Sequence, residues 1–426
     1  MRRSVLIVLG AVAGVGLAAQ AQKRRYVIVD TGQKRCFSDT GQLRTVPRPG
    51  RPFFGQDACY QTAQPAYRDN RDGTVSDLNT GLIWQKRPDL KHKPTFAQAQ
   101  AAAKTLGLAG HDDWRVPTIK ELYSLIDFTG CVHARNPVPY INTKVFAFAF
   151  GDESRGERII DAQYWSSTQY VGLTMHGNAT VFGVNFADGR IKGYPRDRSR
   201  GGGPGRRCVR YVRGNPAYGR NQFVDNTDGT ISDLATGLMW ARADSGKPMH
   251  WAGALAYCEG LELAGHDDWR LPDAKELHSI VDYTRAPDAR TPAARGPAIN
   301  PVFAMTAPES WFWSSTTHLD GPRLGDRAVY FAFGQAWGFM PDRRSGRKRK
   351  LNVHGAGAQR SDPKSGDPDD WAGGHGPQGD QIRILNYARA VRNIQPADVK
   401  RVRPDTSPLP YQSRRRPLRP PGRPPL

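Results

Sequence analysis

Cysteine is scarce in this sequence, with five residues among 426, and no two of them form a Cys-x-x-Cys pair. Zinc ribbons and thioredoxin-type redox chemistry, which use that spacing, therefore have no support. Long apolar runs are also missing after the N-terminus, where none approaches the roughly 18–20 residues that span a bilayer. The composition, with 38% hydrophobic and 10% aromatic residues, excludes a disordered or fibrous chain.

Positive charge is what the sequence has in excess, at a formal +21. Four segments carry it, each with a net charge between +4 and +6: residues 22–68, 195–207, 341–350 and 394–426. Together with two N-terminal arginines they account for the whole excess, so the remaining chain is close to neutral. Concentrated basic runs create local positive potential, which favours polyanions as partners.

The first 21 residues have the pattern of a secretory signal peptide. Arg2 and Arg3 precede an apolar stretch from residue 5 to about residue 18, and Ala19-Gln20-Ala21 provides a small-x-small cleavage site. The pattern predicts export, to the periplasm, the cell surface or the medium, with no transmembrane segment after cleavage. An uncleaved membrane anchor is the alternative interpretation.

Three blocks of sequence occur twice, in the same order and about 150 residues apart. They are residues 67–84 and 223–240, 108–117 and 263–272, and 165–168 and 313–316. This spacing is too long for a solenoid and indicates a duplicated domain. We expect copy one at 67–213 and copy two at 218–393, preceded by a leader segment at 22–66. The Arg- and Pro-rich tail at 394–426 is predicted to be disordered.

Each copy is predicted to be α+β. Asp-Gly and Thr-Gly turns between short apolar stretches indicate a three-strand meander ending at residue 84 or 240. Capping boxes predict helices that begin after Thr95 and Thr118 in copy one. Copy two has a helical pattern from about 250 to 261 and a box at Asp273. Alternating stretches such as residues 179–186 predict strands of a mostly antiparallel sheet.

The repeated motifs resemble the DUF1566 domain, also named for the C-terminal domain of the Legionella collagen-like adhesin. The motifs are Asp-Gly-Thr-x-x-Asp-x-x-Thr-Gly-Leu-x-Trp from Asp72 and Asp228, His-Asp-Asp-Trp-Arg from His111 and His266, and Trp-Ser-Ser-Thr from Trp165 and Trp313. The resemblance implies two tandem C-type-lectin-like domains in an exported, adhesin-like binding module. It also implies sulfated polysaccharide as the ligand class. Unlike that adhesin, this chain has no collagen-like Gly-X-Y repeats.

The cysteines suggest disulfides, because export would place them in an oxidising compartment. Cys131 and Cys208 align with non-cysteine residues in copy two, so both are absent there together, as the members of a pair would be. We expect a Cys131–Cys208 disulfide, and a Cys36–Cys59 bond closing a loop in the leader segment. Cys258 is then a buried free thiol.

Two repeated motifs have both a chemical and a structural interpretation. His-Asp-Asp-Trp-Arg at 111–115 and 266–270 offers groups for acid–base work or metal binding, but its place at a turn before a helix favours a structural role. The acidic turn at 69–77 has oxygen ligands at the wrong positions for an EF-hand calcium loop. A hairpin turn is the preferred interpretation of that segment.

Copy two carries an insertion, from residue 353 to about 376, that copy one lacks. It is rich in glycine and acidic residues, which in a long loop favour hard cations. Calcium bound by Asp362, Asp367, Asp369 and Asp370 is one hypothesis, and a solvated loop is the other. No other cofactor is expected.

The basic runs at matching positions of the two copies are the candidate ligand-binding residues. They are Arg196, Arg198, Arg200, Arg206, Arg207, Arg343, Arg344, Arg347, Lys348, Arg349 and Lys350. Guanidinium groups bind sulfate, phosphate and carboxylate bidentately, and flexible glycine-bearing loops could follow an irregular polyanion. Ordinary solvated loops are the alternative, and the basic tail would add affinity without specificity.

Three function classes are compatible with these sequence features. An exported module for acidic or sulfated glycan, or another polyanion, is favoured, with no catalytic residues. A structural or protein-partner component of the cell envelope is the second class. An enzyme of the formylglycine-generating type or another hydrolase is the third, because residues 114–121 are similar to a run in formylglycine-generating-type proteins. For this class the sequence lacks a Ser-His-Asp order, a paired reactive cysteine and a metal-ligand cluster shared by both copies. A specific nucleic-acid partner fits the charge and conflicts with export.

Overall fold

The computed structural model describes residues 25–197, 203–341, 345–376, 378–395 and 398. The predicted signal peptide lies outside these ranges, and so does most of the predicted tail. Among the described residues, no helix combines the length and the apolar character needed to cross a bilayer.

The described residues of copy one form seven strands and two α-helices. They are β1 (Tyr67–Asp69), β2 (Thr74–Asp77), β3 (Leu82–Gln85), α1 (Phe96–Ala103), α2 (Ile119–Ser124), β4 (Gln163–Gln169), β5 (Thr180–Asn185), β6 (Arg190–Pro195) and β7 (Val212–Gly214). Both helices begin at the predicted capping boxes, where the Thr95 and Thr118 hydroxyls accept the backbone N–H of Gln98 and Glu121.

Copy two repeats this order and adds strands near its end. Its elements are β8 (Phe223–Asp225), β9 (Thr230–Asp233), β10 (Leu238–Ala241), α3 (Trp251–Glu259), α4 (Ala274–Ser279), β11 (Trp311–His318), β12 (Arg327–Ala332), β13 (Trp337–Pro341), β14 (Lys348–Asn352), β15 (Gln359–Pro363) and β16 (Val391–Asn393). The predicted box at Asp273 caps α4. The described fold therefore consists mostly of antiparallel sheets, with two short α-helices in each copy.

Each predicted meander becomes a four-stranded sheet, because the last strand of the copy joins it. The strand orders are β1-β2-β3-β7 and β16-β10-β9-β8. In the first sheet Trp84 pairs with Val75 on one side and with Val212 on the other. Trp84 and its counterpart Trp240 are fully buried, so the conserved spacing of the repeat places one tryptophan in the core beside each meander.

The third sheet is shared by both copies. Its six strands run in the order β11-β12-β15-β6-β5-β4, and the copies meet where Gln359 of β15 pairs with Ile191 of β6. The repeat by itself does not indicate this junction. It joins the two copies into one continuous sheet, so the face of that sheet is built from both.

The insertion in copy two supplies the strand at this junction. By sequence, β13 is the counterpart of β6, since both contain Gly-aromatic followed closely by proline and a basic run. In the structure β13 instead pairs with β14, and β15 takes the place beside β12. Part of the run expected to be a flexible loop is therefore strand β14, which corrects the loop expectation for Lys348, Arg349 and Lys350.

The leader segment makes hydrogen bonds with both copies. The Asp57 carboxylate accepts hydrogen bonds from Thr31 of the same segment and Thr316 of β11. The Gln33 amide donates to the Phe128 carbonyl of copy one and accepts the Thr317 N–H of copy two. These bonds make residues 25–66 part of the folded body.

The end of copy two extends slightly beyond the predicted boundary. Arg392 Nη1 donates to the Asp398 carboxylate at 2.7 Å, and the backbone N–H of Ile394 donates to Gly237. Ile394 and Asp398, which the sequence assigns to the tail, therefore contact copy two.

A reciprocal contact joins helices α2 and α4. Lys120 of α2 donates to the Ser279 carbonyl at the end of α4, at 2.6 Å, and Lys275 of α4 donates to the Ser124 carbonyl at the end of α2, at 3.0 Å. The two lysines occupy equivalent positions in the repeat. Each therefore satisfies a terminal carbonyl of the other copy's helix.

Candidate functional site

The repeated His-Asp-Asp-Trp-Arg motif makes structural contacts in both copies. The Trp114 and Trp269 rings are buried, and each donates its indole N–H to a backbone carbonyl six residues earlier. The charged members form the ion pairs Arg115–Glu121, Arg213–Asp113, Arg270–Glu276 and Arg392–Asp268. These contacts fit the structural interpretation, in which the motif's own arginines, Arg115 and Arg270, pair with a glutamate of the following helix.

The acidic turns close hairpins in both meanders. Asp72 accepts hydrogen bonds from the backbone N–H and the hydroxyl of Thr74, and Asp228 does the same for Thr230. Their carboxylates are used by the turn itself, as the hairpin interpretation expects.

The predicted Cys131–Cys208 disulfide is not formed. Cys131 lies in a small cluster with Phe37 and Leu319, and its thiol contacts the Leu319 carbonyl at 3.7 Å. Cys208 belongs to the main core instead. The prediction is therefore wrong in this structure, because absence of both residues from copy two does not require that they meet in copy one. The predicted Cys36–Cys59 disulfide is not formed either, since the two sulfur atoms are 3.9 Å apart and both residues are free thiols. Cys258 is a buried free thiol.

The structure does not bring the four proposed calcium ligands together. Asp362 is buried on β15, where its carboxylate accepts the backbone N–H groups of Arg383 and Ile384. Asp367 caps a short 3-10 helix. Within the described ranges, no three or more His, Cys, Asp or Glu side chains are grouped to hold a metal ion. The four aspartates proposed to bind calcium therefore do not form a metal site in the described part of the chain.

A cleft with a volume of about 2430 Å³ lies between the copies. We call it the inter-copy cleft. It is lined by β6 from copy one and by β12 and β15 from copy two. Eleven lysine or arginine side chains line it, against seven aspartates or glutamates. The cleft is therefore a positively charged groove.

On the copy-one side of the junction, alternate residues of β6 face the cleft: Arg190, Lys192 and Tyr194. Asp188 pairs with both cations and is buried. Burial acts to raise the pKa of Asp188, but the Lys192 and Arg190 charges outweigh it and lower the pKa to about 2. This carboxylate is thus ionised and already paired.

The same cations repel one another. Burial, together with the neighbouring Arg360 and Arg190, lowers the pKa of Lys192 to about 8, although Asp188 opposes this. Burial and Arg190 likewise lower the pKa of Arg360 to about 10. The floor of the cleft therefore concentrates more positive charge than its carboxylates neutralise.

Arg360 provides the copy-two side of the junction. It donates to Asp380, which also accepts from His354 at 3.0 Å. Its other terminal nitrogen, Nη1, is buried and has no hydrogen-bond partner among the described residues. The Tyr194 hydroxyl and Arg207 Nε, also in the cleft, are buried and unpartnered in the same part of the chain. Such unpaired donors are costly unless a ligand oxygen meets them.

Two of the sequence-predicted arginines line a wall of this cleft. Arg207 is partly buried, with its guanidinium 4.7 Å from the Tyr194 ring centre and 5.5 Å from that of Trp165. Arg206 is exposed and donates to the Gln98 side chain. Arg196 pairs instead with the adjacent Asp197. Arg198 and Arg200 lie outside the described residues.

No described basic residue of the copy-two run lines the cleft. Pro341 lines the cleft and pairs with Lys348 across the β13–β14 hairpin. Arg347, Lys348, Arg349 and Lys350 are exposed, and the Lys350 ammonium lies 5.2 Å from the Trp337 ring centre. Arg343 and Arg344 fall outside the described residues. Of the predicted binding residues, therefore, only Arg206 and Arg207 are placed in the cleft by the described part of the chain.

Sequence reasoning missed the charged floor of the cleft. The charged residues of the floor lie on strands, outside the basic runs from which the binding residues were predicted. They are Arg190, Lys192, Arg327 and Arg360. The alternation of Arg190, Lys192 and Tyr194 along a short strand was an available signal, because alternate residues share one face. Arg360 had no such signal, since its strand lies in the insertion.

The fold and cleft together define a duplicated, β-rich domain protein whose copies share a sheet and enclose a basic groove. The family described as the Lcl C-terminal domain matches residues 73–213 and 229–349, which include most of both copies. The chain belongs to this family, as two tandem copies. No curated protein and no solved structure matches it.

Proposed function

We propose that this chain is an exported, non-enzymatic binding protein that holds an acidic or sulfated polysaccharide in the inter-copy cleft. We further propose that each copy is a C-type-lectin-like domain, on the strength of the motif resemblance. The observation that carries the functional proposal is the cleft itself, which both copies line and in which eleven lysines or arginines stand against seven aspartates or glutamates.

The size of the cleft supports an extended ligand. Sites for small molecules are typically about 300–1,000 Å³, whereas this cleft measures about 2430 Å³. A groove of this volume is suited to several sugar units in sequence. It crosses from one copy to the other, so a chain-like ligand would contact both.

The chemistry of the cleft supports anionic groups on that ligand. Arginine binds sulfate and carboxylate through two parallel hydrogen bonds, and Arg207 and Arg360 each keep an unpaired N–H. Tyr194 lies beside both guanidinium groups and adds a hydroxyl. A sulfate or carboxylate oxygen at this position would satisfy donors that protein groups leave unsatisfied. The basic tail would add long-range attraction for the same ligand.

The proposal is tested by comparing two variants that remove the same charge. In the cleft variant, Lys91, Arg155 and Arg206, which are exposed and line the cleft, become serine. In the control variant, Arg44, Arg48 and Arg51 become serine; these are exposed on the leader segment and do not line the cleft. Affinity for a heparin-type polysaccharide is measured by calorimetry at several salt concentrations.

We expect the cleft variant to bind about tenfold more weakly, since three exposed ion pairs at about 0.5 kcal/mol each give roughly that factor. The control variant should change affinity by less than about twofold. Wild-type binding should weaken steeply with salt, because screening acts within about 10 Å at 0.1 M. Equal losses in both variants, or equal affinity for double-stranded DNA, would indicate non-specific charge attraction and contradict the proposal.

A further inference from the structure

Two cysteines of the leader segment lie side by side. The Sγ atoms of Cys36 and Cys59 are 3.9 Å apart, and both are free thiols. Cys36 is buried, whereas Cys59, at the end of the 3-10 helix Asp57–Cys59, is partly exposed. No other pair of cysteines in the described residues makes a sulfur–sulfur contact. The pair therefore combines proximity with unequal access to solvent.

The surroundings favour Cys59 as the reactive member. The hydrogen bond from Cys36 lowers the pKa of Cys59 to about 7, helped by the backbone N–H groups of Gly55 and Gln56. The same bond, with burial, raises the pKa of Cys36. A thiolate is the nucleophile in thiol–disulfide exchange, so Cys59 is both the more accessible and the more readily ionised sulfur.

We propose that Cys36 and Cys59 form a redox latch, in which Cys59 is the attacking and Cys36 the resolving thiol. The reaction partner is a small or protein disulfide. The Cys59 thiolate attacks one sulfur of that disulfide, forms a mixed disulfide and releases one thiolate. The Cys36 thiol then loses its proton and attacks Cys59 Sγ, which expels the second thiol. Two thiols of the chain are oxidised and one partner disulfide is reduced to two thiols.

The latch acts on a wall of the inter-copy cleft through Phe37. This ring follows Cys36 and is buried in a cluster with Leu319. It also lies directly against Gly325, where a Cβ atom would meet the ring at 2.3 Å. Residues 319–326 connect β11 to β12, and Asp320, within them, lines the cleft. Oxidation would therefore restrain Phe37, against which the connection between β11 and β12 packs.

The first test uses the wild-type chain incubated with oxidised glutathione. Non-reducing peptide mapping should recover a Cys36–Cys59 linked peptide, with Cys131, Cys208 and Cys258 still alkylated after unfolding. The oxidised protein should unfold at a temperature at least about 3 °C higher than the reduced protein, because the bond closes a loop in the unfolded chain. Recovery of both cysteines as alkylated peptides would overturn the proposal.

The order of attack is tested with two single variants. Cys36→Ser should accumulate glutathione on Cys59, because the resolving thiol is absent, whereas Cys59→Ser should leave the buried Cys36 unmodified for at least about tenfold longer. Cys258→Ser, which removes a buried thiol without a sulfur neighbour, is the matched control and should behave as wild type. Equal modification of Cys36 and Cys59 would refute the assigned roles.

The coupling to the cleft has a separate readout. Hydrogen exchange of residues 319–326 should be slower in the oxidised than in the reduced protein, by about threefold or more if the latch limits opening of this connection. Unchanged exchange in a protein that has formed the bond would overturn the latch while leaving the disulfide. Neither measurement uses a polysaccharide, so both outcomes are independent of the proposed function.

Discussion

Replacing Lys275 with methionine tests whether the two copies form one folding unit. The Lys275 side chain is buried, and its ammonium donates to the Asp30 carbonyl at 2.8 Å and the Ser124 carbonyl at 3.0 Å. It therefore links copy two to the leader segment and to the end of α2 in copy one. Methionine keeps the apolar stem and removes only the charge and its donors.

The expected cost follows from these two bonds. Hydrogen bonds to charged groups contribute about 1.5–3 kcal/mol each, so their gross loss is about 3–6 kcal/mol. Part of this is offset, because burial lowers the pKa of Lys275, which shows that the ammonium itself is costly to bury. We expect the free energy of unfolding to fall by about 2–4 kcal/mol.

The assay is guanidinium unfolding of the full chain, followed by tryptophan fluorescence and by circular dichroism. Lys120→Met serves as the matched variant, because Lys120 makes the reciprocal contact with Ser279. Both variants should lower the stability of a single transition that the two probes report together. A loss below about 0.5 kcal/mol, or two separate transitions in the wild type, would refute the view that the copies fold as one body.

Three further predictions concern single contacts and the chain end. Burial raises the pKa of Asp57 to about 7 in the folded protein. The wild-type fold therefore loses stability as the pH rises from ~4 to ~7, because the unfolded chain releases this proton at the lower pH. The melting temperature of Asp57→Asn should exceed that of wild type at pH 8 and not at pH 4. Arg270→Ala should cost about 3–5 kcal/mol in urea unfolding and Arg115→Ala less than half as much, because only the former breaks a fully buried, two-bond ion pair. Deleting residues 399–426 should leave the melting temperature within about 1 °C of wild type. Deleting residues 394–426 should lower it, because this deletion also removes Asp398, the buried ion-pair partner of Arg392 in β16.

Local features of the fold were predictable because their signals are local. Capping boxes specify where α1, α2 and α4 begin, since the side chain that satisfies the first backbone N–H groups lies within the same turn. The Asp-Gly turns fix the hairpins of the meanders for the same reason. The repeated order of motifs then indicated two related copies.

The shared sheet was not predictable in this way. Its junction pairs Ile191 with Gln359, which are 168 residues apart in sequence. Copy one contains no counterpart of β15, so the alignment of the copies assigns the place beside β12 to β13. The choice between these strands depends on tertiary packing, which single-sequence patterns do not encode.

The candidate site was predictable only at its rim. Dense arginine runs stand out in sequence, and Arg206 and Arg207 do line the cleft. The floor instead combines single charged residues from β6, β12 and β15, which come together only when the copies join. Because these charged residues lie on different strands, no short sequence motif marks the floor of the cleft.

We propose that the two copies bind one polyanionic ligand in a single shared cleft. The most direct measurement combines calorimetric stoichiometry with hydrogen exchange, using the full chain and a sulfated oligosaccharide of defined length. We predict one ligand per chain, with protection of both Arg190–Pro195 and Gln359–Pro363. Two ligands per chain, or protection that is absent from either strand, would contradict it.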